Sequence, residues 1–343
     1  MMSSTITKPA PNTSPLNVPV LISGAGPTGL FAAILLTKLG HPCRIIERHL
    51  EISPLSKALV IHARTMEIFA MAGIFDSFNS QGVHLSDIHA YFGGKLTSVL
   101  PALRGTESEY SYGLFLEQLR TTAILAEELE KIGGHVDRGW ELMDTKVVTD
   151  PETGKEHVET VIRRALVGNN IRTTESTILG VVEEDRDEEG KEYEVQTVRS
   201  QYLIATDGGK SAVRHKLNIG FPGKTLDNNI ILVDCLVDSP IPLKNVTVVS
   251  AGDNHRAMAV FPVRDDVVRI ILDNGVLTPE EHAKLDSKKL TLEICQKLVD
   301  ECAAPTKFQL RDPTWLTYYR VNERLAEQFA FKNRIFLAGD AAH

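Results

Sequence analysis

The sequence of 343 residues has only four cysteines, 6% aromatic residues and no excess of basic charge. The cysteines stand far apart, without the spacing of a zinc site or a disulfide framework, so we expect a reduced, cytoplasmic protein with no metal site. A formal net charge of −8 argues against nucleic acid or a membrane surface as a partner. Glycine and proline interrupt the apolar stretch 18–39, which argues against a transmembrane helix.

The composition is that of a globular protein, with 43% hydrophobic and 24% charged residues. The length exceeds one ordinary domain, so we expect two lobes. Residues 1–17 are polar and lack the apolar core of a signal peptide, which predicts a disordered leader. The patterns predict helices at 64–71, 115–132, after Thr278 and at 291–302, strands at 44–47, 202–206 and 334–338, and successive antiparallel strands between 230 and 273.

The stretch 18–39 reads as a buried strand, a glycine turn and a buried helix. The turn, residues 24–29, has the sequence Gly-Ala-Gly-Pro-Thr-Gly. Gly24 permits a tight turn, Gly26 lets the backbone approach a pyrophosphate, and Gly29 lets the helix pack closely on the strand. The helix start then offers free N–H groups and a positive dipole end to phosphates. The unit therefore predicts a dinucleotide-binding fold.

Glu47 ends the next predicted strand, roughly twenty residues after the first glycine, where an acid commonly binds a ribose hydroxyl. The alternative is a surface glutamate beside a structural glycine turn. An acid at this place favours an unphosphorylated ribose, as in FAD or NAD, over NADP. The glycine pattern by itself does not separate FAD from NAD.

Two further motifs follow in a fixed order. Residues 202–214 read Tyr-Leu-Ile-Ala-Thr-Asp-Gly-Gly-Lys-Ser-Ala-Val-Arg, and residues 334–343 read Arg-Ile-Phe-Leu-Ala-Gly-Asp-Ala-Ala-His. Together with the glycine turn, they resemble the FAD-dependent aromatic hydroxylases (class A flavoprotein monooxygenases), and among these the phenol 2-monooxygenase-like branch. The resemblance covers about residue 18 to the end.

The resemblance implies an α/β fold: a Rossmann-type (GR2-like) FAD-binding domain with an inserted mixed or antiparallel β-sheet substrate domain. It assigns 18–80, 113–217 and 331–343 to the FAD-binding domain, and 81–112 and 218–330 to the substrate-binding domain. The aromatic substrate is then expected between the FAD lobe and the sheet built from about 220 to 275.

The resemblance also implies roles for single residues. Asp340, which follows Gly339, binds the ribityl chain of FAD, a sugar alcohol that NAD lacks. Asp207 and Gly208 lie near the FAD pyrophosphate and serve the use of NAD(P)H, although Asp207 also suits a turn-and-cap residue. Arg214 is a candidate contact for the pyridine nucleotide.

Three residues in the intermediate stretches match the family in the same way. Lys57 contacts the FAD phosphates, Arg64 belongs to the segment that closes over the flavin, and Gln118 forms a hydrogen bond to FAD. The alternatives are a helix-start arginine paired with Glu67 and a solvated helix position for the glutamine. Leu59 stands where phenol hydroxylases carry an acid, which argues against simple phenol as the substrate.

The implied reaction begins with transient binding of NADPH or NADH, which reduces tightly bound FAD. O₂ then forms a flavin C4a-hydroperoxide, which hydroxylates a small phenolic or other electron-rich aromatic substrate. The family's flavin-covering loop and thioredoxin-like dimerisation domain would follow residues 339–343, so we expect a C-terminal truncation, and a homodimer where that part is present. The sequence identifies no catalytic residue.

Three alternatives remain at this stage. One is an epoxidase or halogenase of the same architecture, and the neighbours of Trp140 and Trp315 lack the halogenase tryptophan motif. The second is an inactive, truncated flavoprotein that binds FAD poorly or without hydroxylation. The third is an NAD dehydrogenase, which would need only the first of the three motifs.

Overall fold

The computed structural model describes residues 15–54, 58–102, 107–166, 192–251, 256–264 and 266–343. Lys57 and most of the predicted leader lie outside the described residues. The strands are β1 (Leu16–Ser23), β2 (Cys43–Glu47), β3 (Val60–Ile61), β4 (Val83–Leu85), β5 (Asp87–Phe92), β6 (Lys95–Pro101), β7 (Gly113–Phe115), β8 (Val136–Arg138), β9 (Glu141–Thr149), β10 (Glu156–Ala165), β11 (Tyr193–Ala205), β12 (Gly223–Thr225), β13 (Asn228–Asp238), β14 (Val246–Ser250), β15 (Ala257–Arg264), β16 (Val267–Val276), β17 (Gln309–Tyr319), β18 (Asn322–Arg324), β19 (Ala330–Phe331) and β20 (Ile335–Leu337). The helices are α1 (Pro27–Lys38), α2 (Ala63–Met71), α3 (Phe75–Asn79), α4 (Gln118–Lys131), α5 (Ala212–Lys216), α6 (Pro279–Lys284) and α7 (Leu292–Ala303).

An eight-stranded sheet in the order β19-β20-β11-β1-β2-β8 forms the first lobe, and β10 and β9 extend it from β11. Strands β20, β11, β1, β2 and β8 run parallel. Both faces are covered, as a parallel sheet requires, so consecutive residues of β1 are buried. Ile22 packs with Leu30 of α1 and Ile124 of α4 on one face. Leu21 packs with Val213 of α5 on the other face.

β1 begins before the predicted end of the leader. Leu16 and Asn17 pair with Val198 and Arg199 of β11, so the predicted leader of residues 1–17 is too long by these two residues. Their pairing follows from the length of β11, which has 13 residues and gives the start of β1 a partner along its whole length. The sequence pattern predicted only the buried end of that strand, because its first half is partly exposed.

A seven-stranded sheet in the order β17-β13-β16-β15-β14-β5-β6 forms the second lobe. Helix α7 packs on one face, where Val233, Ile270 and Cys295 are buried together. Thr291 starts this helix by accepting a hydrogen bond from the Ile294 amide at 3.4 Å, as an N-cap residue does, and the start agrees with the predicted helix at 291–302.

The opposite face of the seven-stranded sheet meets the first lobe through a small sheet in the order β3-β7-β4. Phe261 of β15 stacks on Phe115 of β7, with ring centroids 5.8 Å apart. The backbone of Phe115 pairs with Val60 and Val83, so Phe115 is a strand residue, and α4 begins only at Gln118. The prediction of a helix from residue 115 is therefore wrong at its start.

None of the helices in the described residues combines the length and the hydrophobicity that crossing a membrane demands. The same residues contain no group of three or more His, Cys, Asp or Glu side chains arranged to hold a metal ion.

Candidate functional site

The carboxyl ends of the central parallel strands bring the three sequence motifs together. The Gly24 amide donates to the Ile46 carbonyl at 2.9 Å, which links the ends of β1 and β2. The Thr206 amide donates to the Ser23 carbonyl at 2.8 Å, and the Ala338 amide donates to the Ala205 carbonyl at 2.9 Å. These bonds line up the loops after β1, β11 and β20 at one edge of the sheet. In open α/β sheets, ligands bind in the crevice outside that edge.

The three glycines of the first loop have different surroundings. Gly24 has φ +101°, and a Cβ atom there would lie 2.4 Å from the Thr206 carbonyl oxygen. A Cβ at Gly29 would lie 2.0 Å from the Gly24 oxygen, so helix and loop are in contact at this point. A Cβ at Gly26 would meet no atom within 4 Å. Gly24 and Gly29 thus serve the turn and the packing, and Gly26 leaves an open approach at the start of α1.

Glu47 supports the same loop from the end of β2. Its Oε2 accepts a hydrogen bond from the Ala25 amide at 2.9 Å, and its Oε1 accepts one from the His49 amide at 3.0 Å. The carboxylate therefore lies beside the glycine turn and is half-buried.

Thr206 is a site residue that the sequence analysis missed. Its hydroxyl lies between the ends of β11 and β1, with the Ser23 oxygen at 3.0 Å and the Gly24 oxygen at 2.8 Å. The hydroxyl thereby ties the second motif to the first. A threonine directly before the Asp-Gly pair, at the end of a buried strand, was the available signal.

Asp207 has one satisfied and one unsatisfied carboxylate oxygen. Its Oδ2 accepts a hydrogen bond from the Val213 amide at 3.1 Å, so it does cap the start of α5. Its Oδ1 is buried and has no hydrogen-bond partner among the described residues. A buried acceptor without a donor is costly, and a native structure usually satisfies it with water or a ligand. The adjoining Gly208 has φ +84°, a conformation that favours glycine.

Asp340 is exposed in a single 3₁₀ turn, Gly339–Ala341, that follows β20. Gly339 has φ +60°, and a Cβ there would lie 2.7 Å from the Thr28 hydroxyl oxygen. The turn that carries this carboxylate therefore rests against the start of α1, next to the glycine loop.

Arg214 does not extend toward solvent as a free nucleotide contact would. Its guanidinium is buried, donates to the Gly209 carbonyl at 2.6 Å and to the Ala341 carbonyl at 2.9 Å, and lies 3.8 Å from the centre of the Phe221 ring. Burial lowers the pKa of this guanidinium. Arg214 therefore joins the second and third motifs, a role that the sequence analysis did not assign.

Two further predicted residues, Arg64 and Gln118, lie in the first turns of α2 and α4. Arg64 is exposed and donates to the Glu67 carboxylate at 3.1 Å, as the structural alternative predicts. The Gln118 side-chain oxygen accepts a hydrogen bond from the Ala58 amide at 3.3 Å. Their roles toward a cofactor, like that of Lys57, stay predictions.

FAD fits the residues at this edge of the sheet. The start of α1 provides helix amides without intrahelical acceptors, and Gly26 leaves room for phosphates to approach them. Glu47 presents a carboxylate beside the glycine loop, and the unpartnered Oδ1 of Asp207 can accept a hydrogen bond from a hydroxyl of the cofactor.

Comparisons with known proteins agree with this geometry. A family model described as FAD binding domain matches residues 17–343. A flavin-dependent monooxygenase of Mycobacteroides abscessus is 28% identical over 339 residues, which cover 94% of this chain and 62% of the relative. A relative from Bacillus subtilis, named as an uncharacterized aromatic compound monooxygenase, is 29% identical, with 94% of this chain and 56% of the relative covered. The chain thus spans less than two thirds of the length of these relatives.

Among solved structures, the anhydrotetracycline hydroxylase of Streptomyces rimosus is 26% identical and has a TM-score of 0.65, over 96% of this chain and 57% of that chain. These similarities confirm the Rossmann-type α/β fold, FAD as the cofactor and the resemblance to FAD-dependent aromatic hydroxylases. The phenol 2-monooxygenase-like branch and the truncation stay predictions. The chain belongs to the FAD binding domain family.

Proposed function

We propose that the protein is an FAD-dependent monooxygenase that uses NADPH or NADH and O₂ to hydroxylate a small phenolic or other electron-rich aromatic substrate. The observation that carries the proposal is the meeting of three motif loops at one sheet edge, with a buried carboxylate oxygen of Asp207 left for a ligand. The names of two relatives, a flavin-dependent and an aromatic compound monooxygenase, support the same reaction class.

Each part of the edge has a distinct task in this proposal. The start of α1 binds the diphosphate, Glu47 accepts a hydrogen bond from the adenosine ribose, and Asp207 accepts one from a hydroxyl near the diphosphate. Asp340 binds the ribityl hydroxyls. Arg64 in the first turn of α2 and Gln118 at the start of α4 are proposed to contact FAD as well, and the family resemblance predicts the same for Lys57.

Bound FAD would supply the redox chemistry, by passing electrons from the pyridine nucleotide to O₂ so that one oxygen atom enters the ring and the other leaves as water. Transfer from a flavin C4a-hydroperoxide is the route that the family resemblance predicts. The protein must orient the substrate and exclude water, because exposed reduced flavin would release peroxide instead.

The substrate is proposed to lie against the face of the seven-stranded sheet that is opposite α7. Leu232, Ile271 and Ala259 are paired across β13, β16 and β15, so their side chains share this face. Their neighbours Val233 and Ile270 belong to the core under α7. Ile271 and Ala259 are partly exposed, which leaves an apolar surface that an aromatic ring would cover.

A titration of the purified chain with FAD, followed by visible absorbance and flavin fluorescence, tests the cofactor site. We expect saturable binding of FAD by the parent chain. Asp340→Ala should weaken this binding at least tenfold, because the variant loses a hydrogen bond to a sugar hydroxyl and the orientation that this bond gives the cofactor. Asp144→Ala, which removes an exposed carboxylate from β9, is the control and should bind FAD as the parent does. No flavin binding by the parent chain would refute the proposal.

The reaction itself is tested by adding NADPH or NADH, O₂ and a panel of phenols and larger aromatic compounds. Substrate-stimulated oxidation of the nucleotide, with a matching amount of hydroxylated product, would support the monooxygenase. Nucleotide oxidation that yields only hydrogen peroxide for every compound would support the inactive-flavoprotein alternative.

A further inference from the structure

Arg214 lies beneath two of the loops that form the proposed FAD site. It is 3% exposed, and its two terminal nitrogens donate in different directions, to the Gly209 carbonyl at 2.6 Å and to the Ala341 carbonyl at 2.9 Å. Gly209 follows closely after Asp207, and Ala341 directly follows Asp340. One guanidinium therefore joins the loop that carries Asp207 to the turn that carries Asp340.

Other contacts fix Arg214 itself and hold the turn from the far side. The Arg214 amide donates to the Ser211 hydroxyl at 3.0 Å, which starts α5. The guanidinium stacks on Phe221 at 3.8 Å. The Ala326 amide donates to the Ala342 carbonyl at 2.8 Å, so the Asp340 turn is held by hydrogen bonds from Ala326 on one side and from Arg214 on the other.

The charge of Arg214 is unusual for a purely structural residue. Backbone carbonyls accept its hydrogen bonds, and the nearby Asp207 carboxylate raises the pKa of the guanidinium by less than burial lowers it. Burying a cation is costly, and apolar residues of similar volume often fill such places more stably. What the guanidinium provides, and an apolar residue cannot, is a rigid fork that bonds two separate loops at once.

We propose that Arg214 is a positioning residue for FAD, which holds the Asp340 turn at a fixed distance from Asp207 before the cofactor binds. The inference rests on the proposed FAD site, because it assigns both carboxylates to the same ligand. Preorganised groups bind more tightly, since the cost of ordering them is met during folding.

Hydrogen exchange in the FAD-free chain tests the inference without any cofactor. The amides of Ala342 and His343 both donate to the Gly339 carbonyl, so they report on the turn. In Arg214→Met we expect their exchange to be at least about tenfold faster than in the parent, because the turn opens more often. Unchanged exchange of these amides would overturn the inference, whether or not the chain binds FAD.

Arg44→Met is the matched control. Arg44 also forms two side-chain hydrogen bonds, to Asp137 at 2.6 Å and to Gln196 at 2.7 Å, and lies 5.4 Å from the Trp140 ring, but it is remote from the turn. Its replacement should leave the exchange of residues 342 and 343 unchanged. If Arg214→Met does not fold, Arg214→Lys provides the same measurement, because a single ammonium keeps the charge but does not bridge both carbonyls.

A double-mutant cycle on FAD affinity then tests how Arg214 acts. We expect Asp340→Asn to weaken FAD about tenfold in the parent and at most about threefold in the Arg214→Lys background, because a loosened turn no longer presents the carboxylate. Equal factors in both backgrounds would refute positioning through Asp340. Loss of FAD binding in the parent chain itself would instead refute the proposed function and leave the exchange result standing.

Discussion

Replacing Gly29 and Gly26 by alanine, one at a time, separates the packing role of the glycine loop from its ligand role. The two positions are three residues apart in the same turn, and the same methyl group is added at each. Their surroundings differ sharply, since an added Cβ at Gly29 would lie 2.0 Å from the Gly24 oxygen, whereas one at Gly26 would meet nothing within 4 Å.

Gly29→Ala should destabilise the FAD-free protein. The added methyl would also lie 2.5 Å from the Thr206 hydroxyl, so α1 must shift and the threonine's hydrogen bonds are disturbed. Overpacking costs about 1–3 kcal/mol, and a disturbed hydrogen bond adds about 1 kcal/mol, which gives roughly 3 kcal/mol. At about 2 °C per kcal/mol for a long chain, the melting temperature should fall by roughly 6 °C.

Gly26→Ala should leave the FAD-free protein nearly unchanged. Gly26 is the N-cap of α1 with φ −72° and ψ 177°, an extended conformation that alanine adopts without strain. The loss of a glycine cap costs only a few tenths of a kcal/mol to about 1 kcal/mol. If the diphosphate approaches the backbone here, the methyl occupies its place, and we expect FAD affinity to fall at least about a hundredfold.

Thermal unfolding followed by tryptophan fluorescence, with and without FAD, measures both effects. Trp140 and Trp315 are the two tryptophans of the chain and are 5% and 7% exposed, so their emission should change on unfolding. A Gly29→Ala protein as stable as the parent would refute the close contact between α1 and the loop. Parent-like FAD affinity in Gly26→Ala would show that phosphates do not approach at this position.

Two other expectations concern the second lobe. Asp234→Asn should lower the free energy of unfolding, measured by urea denaturation, by about 3–5 kcal/mol, because it leaves the buried Arg269 without its carboxylate. Arg311→Met is the control, since Arg311 and Asp238 form an exposed pair of the same bidentate form, and it should change the free energy of unfolding little. Equal losses in the two variants would contradict the prediction that the buried pair matters more. Burial raises the pKa of Cys235 to about 12 and of Cys295 to about 11, so both thiols should resist iodoacetamide at pH 8 in a mass-spectrometric assay. The same thiols lose their protons near pH 8.5 in the unfolded chain but only at higher pH in the folded protein, so the free energy of unfolding should fall as the pH rises from about 8.5 toward 11. Rapid alkylation of the folded protein, or a free energy of unfolding that does not change over this pH range, would contradict the burial of the thiols.

The glycine loop could be predicted because each of its requirements is local. A positive φ at Gly24, a close helix contact at Gly29 and an acid at the end of the next strand all follow from a single βαβ unit. The start of α7 at Thr291 is local in the same way, since one side-chain cap determines it.

The parts that could not be predicted depend on partners far along the chain. Thr206 bonds Gly24 from 182 positions away, and Arg214 bonds Ala341 across 127 positions. Phe115 looks like the start of an amphipathic helix, but pairing with Val60 and Val83 places it in a strand. Such contacts are tertiary and override local pattern.

Arg214 and Asp207, two polar residues of the second motif, differ in whether the protein satisfies their hydrogen bonds. Each terminal nitrogen of Arg214 donates to a backbone carbonyl, so both nitrogens have acceptors without a ligand. Asp207 uses one oxygen for the backbone and leaves the other buried and unpartnered among the described residues. A satisfied buried group stabilises the scaffold, whereas an unsatisfied one lowers stability until a ligand supplies its partner. FAD should therefore stabilise the parent more than an Asp207→Ala variant, because only the parent regains that missing hydrogen bond on binding.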